Sequence, residues 1–205
     1  MTDQKPTIFI VDDDPSVRES TKFLLESVGF NVKTYVSGQD FLKAKVQADL
    51  GCLILDLRMP GLSGLDLQEK LNSAKTPLPV IFITGHGTVP MSVRAMKAGA
   101  IDFLQKPFEE QELLDAINRA VVQQRENQSK NEEADKLQQR LKTLTSRENE
   151  VFFHLVAGLA NKEIAYELGM SERTVKAHRA QIMEKMKARS FAELVRFAER
   201  LKHRR

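Results

Sequence analysis

Asp56 ends the apolar run Cys52-Leu53-Ile54-Leu55 and is followed by Leu57-Arg58-Met59-Pro60-Gly61. An apolar run of this length reads as a strand buried on both faces. Its carboxylate then falls at the carboxyl end of a strand, where open α/β sheets bind ligands. Three other strand ends carry matching chemistry: Val11-Asp12-Asp13-Asp14, Ile83-Thr84-Gly85 and Gln105-Lys106-Pro107. Three carboxylates, a hydroxyl and an ammonium on neighbouring strand ends make an acidic pocket that can hold a divalent cation. A carboxylate in such a pocket can accept a phosphoryl group.

The cation this set suits is Mg²⁺ (or Mn²⁺), which takes oxygen ligands and keeps several waters. Asp13 and Asp56 can supply carboxylates, with Asp12 acting nearby or through water, and the main-chain carbonyl of Arg58 is a further candidate ligand. Lys106 provides a fixed positive charge for phosphoryl oxygens, and the Thr84 hydroxyl provides a donor. The blander reading makes Asp12–Asp14 a helix cap and Asp56 a turn residue. Four such residues at four strand ends weigh against it.

The elements that must position these groups alternate. Thr7–Val11, Val32–Tyr35, Cys52–Asp56, Val80–Thr84 and Asp102–Gln105 read as strands. Pro15–Val28, Gly38–Ala48, Gly64–Ser73 and Val89–Ala98 read as helices, with Pro15 and Pro90 where a first turn tolerates proline. A fifth helix starts near Glu109 and runs past Ala120. The fold predicted for residues 1–122 is therefore an α/β doubly wound, five-stranded parallel sheet of flavodoxin-like type. Residues 123–142 contain no Gly or Pro and are rich in helix formers, with Leu137, Leu141 and Leu144 at a brief heptad-like spacing. They read either as an extension of the fifth helix or as a solvated, partly frayed linker.

Residues 143–205 read as a small all-α domain. Thr145 and Glu148 fit a capping box ahead of Val151, Phe152, Leu155 and Val156. Asn161–Leu168 is a short second helix, Gly169-Met170-Ser171 a tight turn, and the next helix runs to about Lys187, giving a helix-turn-helix. A last helix starts at Ser190. On the third helix, Val175, Ile182 and Met186 fall on one face, while Arg173, Lys176, Ala177, Ala180 and Glu184 fall on the other. Lys176 and Arg173 can read guanine or grip phosphate, and Thr174, His178 and Arg179 flank them.

Charge follows the same division. Residues 1–122 hold 13 Lys and Arg against 16 Asp and Glu, net −3, whereas residues 143–205 hold 13 against 8, net +5. An acidic front suits metal or phosphoryl chemistry and a basic back suits a polyanion. Cys52 is the one cysteine, so no intrachain disulfide is possible, which fits a reducing compartment. With no leader-like or membrane-spanning stretch, the expected location is cytoplasmic, with no membrane partner.

On the strand-end motifs just quoted, together with Phe82-Ile83-Thr84-Gly85-His86-Gly87 and Asp102-Phe103-Leu104-Gln105-Lys106-Pro107-Phe108, residues 1–122 resemble the receiver domain of bacterial two-component response regulators. Residues 144–200 resemble the LuxR-type output domain, on Leu144-Thr145-Ser146-Arg147-Glu148, Gly158-Leu159-Ala160-Asn161-Lys162-Glu163-Ile164-Ala165, Leu168-Gly169-Met170-Ser171 and Thr174-Val175-Lys176-Ala177-His178-Arg179. The pair is similar to the FixJ group. The resemblance implies that Asp56 is the phosphoacceptor for a sensor histidine kinase and that Asp12, Asp13 and Asp56 form the Mg²⁺ site. It further implies that Thr84, Phe103 and Lys106 are switch residues and that Lys106–Pro107 is cis. Phe103 stands where many relatives have tyrosine, so a hydrogen-bonded version of the aromatic switch is excluded. The protein implied is a transcription regulator that forms a homodimer on phosphorylation, binds promoter DNA and acts with RNA polymerase. It is not an enzyme beyond its own phosphoryl transfer and dephosphorylation. A phosphatase with an aspartyl nucleophile would need a second acid/base carboxylate beside Asp56, and the position two residues on is Arg58. An interaction protein that never takes phosphate would lack part of the pocket, which here is complete.

Overall fold

The computed structural model describes residues 5–46, 50–74, 78–85 and 87–202, and the chain forms two compact units, Met1–Asn127 and Gln128–Arg205. The first unit runs β1 (Thr7–Val11), α1 (Pro15–Ser27), β2 (Asn31–Tyr35), α2 (Gly38–Lys43), β3 (Gly51–Asp56), α3 (Gly64–Ser73), β4 (Val80–Thr84), α4 (Val89–Lys97) and β5 (Asp102–Gln105), followed by α5 (Glu110–Lys142). All strand pairs are parallel, in the order β2-β1-β3-β4-β5. Side chains alternate across the sheet, so each strand feeds two cores. Ile8, Ile10, Ile54, Ile81 and Ile83 pack with Leu25 of α1 and Leu113, Ala116 and Ile117 of α5. Phe9, Val11, Leu53, Leu55 and Phe82 pack on the opposite face with Phe41, Leu67, Leu71 and Ala95 of α2, α3 and α4. Every residue of β3 is buried, which is why its sequence reads as an unbroken apolar run.

The register sets the site. Val11 pairs with Leu55, Asp56 with Ile83, and Thr84 with Gln105. Residues 12, 56, 84 and 106 therefore emerge along one edge, at the carboxyl ends of β1, β3, β4 and β5. β1 and β3 are the neighbours at which chain order switches direction, the position where such sheets place their ligand crevice.

Strand bounds match the sequence reading to within a residue, and helix α2 does not. It ends at Lys43, because Lys45 takes a positive φ of 44° and turns the chain. Ala48, the predicted end, lies outside the described residues. Of the two readings of residues 123–142, the structure has the helical one, since α5 continues to Lys142.

The second unit contains the end of α5 with α6 (Ser146–Val156), α7 (Asn161–Glu167), α8 (Glu172–Met186) and α9 (Phe191–Lys202). Leu144, Val151, Phe152, Leu155, Ile164, Val175, Ile182, Met186 and Leu194 make its core. Between α7 and α8, Gly169 adopts φ 63°, open to glycine without strain. The Ser171 hydroxyl then accepts the Thr174 N–H at 3.1 Å and caps α8. At α7 the cap is one-sided. Ala160 has no side-chain acceptor, and the Glu163 carboxylate alone closes the turn by accepting the Ala160 N–H at 2.7 Å.

The predicted capping box at α6 is present and does more than cap. Glu148 accepts the Thr145 N–H at 2.7 Å, and the Thr145 hydroxyl accepts the Glu148 N–H at 3.3 Å. The same carboxylate, 2% exposed, takes the Lys185 ammonium of α8 at 2.6 Å. The Lys185 hydrogen bond holds its carboxyl below the ordinary range against the opposing effect of burial, helped by Thr145. Because the folded value is depressed, this stabilisation is full above the unfolded value near 4.5 and is lost as pH falls through the lower folded value. Glu148→Ala is expected to destabilise the second unit by about 1–3 kcal/mol, a range that allows for the solvent reaching Lys185. Urea denaturation of wild type and variant at neutral pH checks this. The gap should narrow as pH falls below the unfolded value, once the lowered carboxyl begins to protonate.

Candidate functional site

At the strand-end edge, the Lys106 ammonium bridges two carboxylates, Asp12 Oδ2 at 2.7 Å and Asp56 Oδ1 at 3.0 Å. Main-chain donors hold the outer oxygens. The Asp14 N–H donates to Asp12 Oδ1 at 2.9 Å, and the Arg58 N–H to Asp56 Oδ2 at 2.8 Å. Asp12, Asp56 and Thr84 are buried. The Lys106 N–H donates to the Thr84 carbonyl at 2.8 Å, pinning β5 to β4 at their ends, and the following Lys106–Pro107 peptide is cis. Burial pushes the Asp56 carboxyl above its ordinary range, which the Lys106 hydrogen bond only partly offsets. Burial also works against the Lys106 charge, but the hydrogen bonds to Asp12 and Asp56 outweigh it and hold the ammonium above its usual value. The group facing Asp56 is therefore a permanent cation.

Asp13 stands apart from this cluster. It is exposed and lines the mouth of a surface cavity of about 670 Å³ together with Arg58, Met59, Ser63, Asp66 and Arg94. Among the described residues, no three His, Cys, Asp or Glu side chains stand close enough together to hold a metal ion. The donors available at this edge are all oxygens, a set that fits Mg²⁺ or Mn²⁺ rather than a softer metal. Arg58 is exposed at the rim, and His86 of the Phe82–Gly87 motif lies outside the described residues.

Two glycines that entered the sequence reading only as a helix start, Gly64, and as part of a motif, Gly87, shape this edge. A Cβ on Gly64 would lie 2.3 Å from the Asp56 carbonyl oxygen, so α3 can start directly under the end of β3 only with glycine there. A Cβ on Gly87 would lie 2.7 Å from the Phe103 ring and 2.9 Å from Thr84 Cγ2. Phe103 is half-buried against Phe82, ring centroids 6.2 Å apart. Its ring, Thr84 and Gly87 thus form one contact set. Spacing alone could not show this, because the contacts join two strands and a loop.

In the second unit, α8 turns Val175, Ile182 and Met186 fully inward, and Arg173, Thr174, Lys176, Ala177 and Ala180 are exposed. Small residues beside the two basic ones leave the helix free to approach a surface closely. His178 is half-buried. Arg179, assigned with Thr174 and His178 to the flank of the basic stripe, is already engaged. Its guanidinium lies 5.0 Å from the Phe191 ring centroid and reaches Asn161 Oδ1 at 3.5 Å, so it braces α8 against α7 and α9. The missed signal was Phe191, an aromatic residue at the start of α9. The Thr174 hydroxyl is hydrogen-bonded to that of Ser171 at 2.8 Å.

A parallel sheet of order 2-1-3-4-5 with a buried Asp–Lys–Asp cluster at its ligand edge, joined to a helix-turn-helix unit, defines the class as a receiver linked to a DNA-binding domain. The family model of the response regulator receiver domain matches residues 8–118, and that of bacterial regulatory proteins of the luxR family matches residues 142–198. The transcriptional regulatory protein FixJ of Rhizobium meliloti is 48% identical over 198 residues, 97% of this chain and 96% of its own. The response regulator protein TmoT of Ectopseudomonas mendocina is 48% identical over 205 residues, 98% of this chain and 92% of its own. The solved structure of the response regulator StyR superposes with a TM-score of 0.79 at 51% identity, covering 96% of this chain and 99% of that one. This chain belongs to the two-component response regulators with a LuxR-type DNA-binding domain, and within them it is FixJ-like. The family is one of regulators rather than metabolic enzymes, and its two domains imply a kinase partner and DNA. No helix of the described residues is long and apolar enough to cross a membrane.

Proposed function

We propose that this chain is a phosphorylation-controlled transcription regulator whose receiver spans residues 1–122, whose joining helix spans 123–142 and whose DNA-binding domain spans 143–205. The observation that carries the reading is the Lys106 bridge between Asp12 and Asp56 at the ligand edge of the sheet. Asp56 is the acceptor. One of its oxygens forms a bond to phosphorus as the P–N bond of a phosphohistidine on a sensor histidine kinase breaks, the electron pair leaving with the imidazole nitrogen. Burial has already raised the basicity of that carboxylate, which favours it as a nucleophile. Asp12, Asp56 and the Arg58 carbonyl would hold Mg²⁺ or Mn²⁺, with Asp13 turning in from its exposed position to join them. When bound, the ion neutralises charge on the phosphoryl oxygens.

The phosphoryl group changes what Lys106 and Thr84 must satisfy. The ammonium that bridged two carboxylates meets phosphoryl oxygens, and the Thr84 hydroxyl donates to one of them. Thr84 shares a contact set with Phe103 and Gly87, so its movement alters the packing of the aromatic ring. A switch of this kind works through packing and shifts a two-state equilibrium. The favoured state forms a homodimer, and α4 offers the surface, with Val89, Val93 and Met96 exposed at helical spacing. Dimerisation pairs two α8 helices on half-sites of promoter DNA, where RNA polymerase is engaged. The working compartment is the cytoplasm.

Incubation with radiolabelled acetyl phosphate tests this reading. Label should enter in Mg²⁺, stop in EDTA and return with Mg²⁺ or Mn²⁺. Equal labelling in EDTA overturns the metal assignment, and no labelling under any condition overturns the acceptor reading. Light scattering of the labelled protein should give twice the monomer mass. A monomer would restrict dimer assembly to DNA.

A further inference from the structure

The last turns of α5 belong to the second compact unit, and one of their side chains grips the back of α8. Arg140 Nη1 donates to the Met186 carbonyl at 3.1 Å. Met186 is the final residue of α8, so its carbonyl has no partner within the helix. Lys187 follows with φ 53°, its N–H returning to the Glu184 carbonyl at 3.0 Å, and the Ala188 N–H returns to the Met183 carbonyl at 2.9 Å. This closing motif satisfies earlier carbonyls and leaves that of Met186 pointing out. A guanidinium there meets both an unpaired acceptor and the negative end of the helix dipole.

Arg140 is held in place to do this. Leu137, one turn earlier, is buried, and Leu141 packs against the core of the unit. Glu133 takes the Arg200 guanidinium of α9 at 2.7 Å. Three contacts on successive turns thus fix residues 133–141 to the helical unit. Lys185 provides a second hold on the same end of α8 through Glu148. The rear of the helix is clamped, while its front half presents Arg173 and Lys176 to solvent.

We propose that Arg140 is a positioning residue for DNA recognition: the end of the joining helix is a working part of the reader, and its guanidinium sets the seating of α8. The proposal rests on the reading of α8 as the recognition helix. The same geometry makes the segment a point where the reader's affinity can be changed without touching a DNA-facing residue. Any motion that withdraws Arg140 frees the last turn of α8.

The test uses the full-length protein, phosphorylated with acetyl phosphate in Mg²⁺, as wild type, Arg140→Ala and Arg140→Lys. The probe is a duplex enriched from a random-sequence pool by the wild-type protein. Binding is measured at a temperature where circular dichroism shows all three fully folded, which removes a purely stabilising role from the readout. Arg140→Ala should weaken binding about tenfold with an unchanged dependence on salt, because no phosphate contact is lost. Amide exchange at Lys187 and Ala188 should speed up, and Arg140→Lys, which keeps a cationic donor, should restore most of both. A salt slope reduced by about one makes Arg140 a phosphate contact and overturns the proposal. Unchanged affinity, or unchanged exchange, overturns it too. A wild-type protein that enriches no duplex overturns the DNA reading of α8 itself, and the positioning role falls with it.

Discussion

Replacing Asp56 by asparagine is expected to reduce phosphoryl labelling to background while leaving the receiver folded and more stable than wild type. The amide keeps the shape of the side chain and an oxygen for the Arg58 N–H, but it has no anionic oxygen to attack phosphorus. The stability change follows from burial. Asp56 has a raised folded value, chiefly through desolvation and with a further push from Asp12. Its favourable contribution is therefore full below the unfolded value near 3.8 and is lost as pH rises through the higher folded value. At neutral pH the ionised carboxylate costs stability, so removing its charge should stabilise the receiver. Acetyl phosphate labelling and thermal melting of both proteins check both statements. A variant that labels at the wild-type rate would remove Asp56 as the acceptor, and a less stable variant would mean that the Lys106 pairing outweighs desolvation.

Lys176→Ala is expected to weaken binding to a selected duplex by about 1–3 kcal/mol and to broaden the sequences accepted, as loss of a base contact does. Lys176 is exposed in the front half of α8, next to Ala177 and facing away from Val175 and Ile182. Arg173→Ala, at the start of the helix, should weaken all duplexes alike and lower the salt slope by about one, as loss of a phosphate contact does. Arg179 separates the two readings available for a basic residue on this helix. With its guanidinium on Phe191 and Asn161, Arg179→Ala should lower the melting temperature of the second unit and leave the salt slope alone. Intact affinity in Lys176→Ala would mean that a different face of α8 meets DNA.

Much of this was legible in the chain. The strands β3 and β4 announced themselves because they are buried on both faces, so their core residues are contiguous in sequence. The strand-end carboxylates, Thr84 and Lys106 could be placed from the order of the elements alone, since parallel strands in one sheet must end on the same edge. The capping box at Thr145 and Glu148 and the inward face of α8 are likewise local, set by spacings of three and four residues.

The remainder depended on contacts between residues far apart in the chain. Sequence placed Asp12, Asp13 and Asp56 at one edge, but only the register of β1 on β3 and the reach of Lys106 from β5 decided that Asp12 pairs with Asp56 across an ammonium while Asp13 faces solvent. Composition left residues 123–142 between helix and frayed linker. Packing decided, through Leu137, Leu141, Glu133 and Arg140, whose partners lie up to 67 residues away. Arg179 looked like a free cation because its partners, Asn161 and Phe191, sit on other helices. Periodicity reports which face of an element is buried, since that follows from local geometry. It is silent on which charged group meets which, because that depends on how separate elements are brought together, and in this chain those pairings distinguish an acidic turn from a lysine-bridged pair of carboxylates and a surface arginine from a brace.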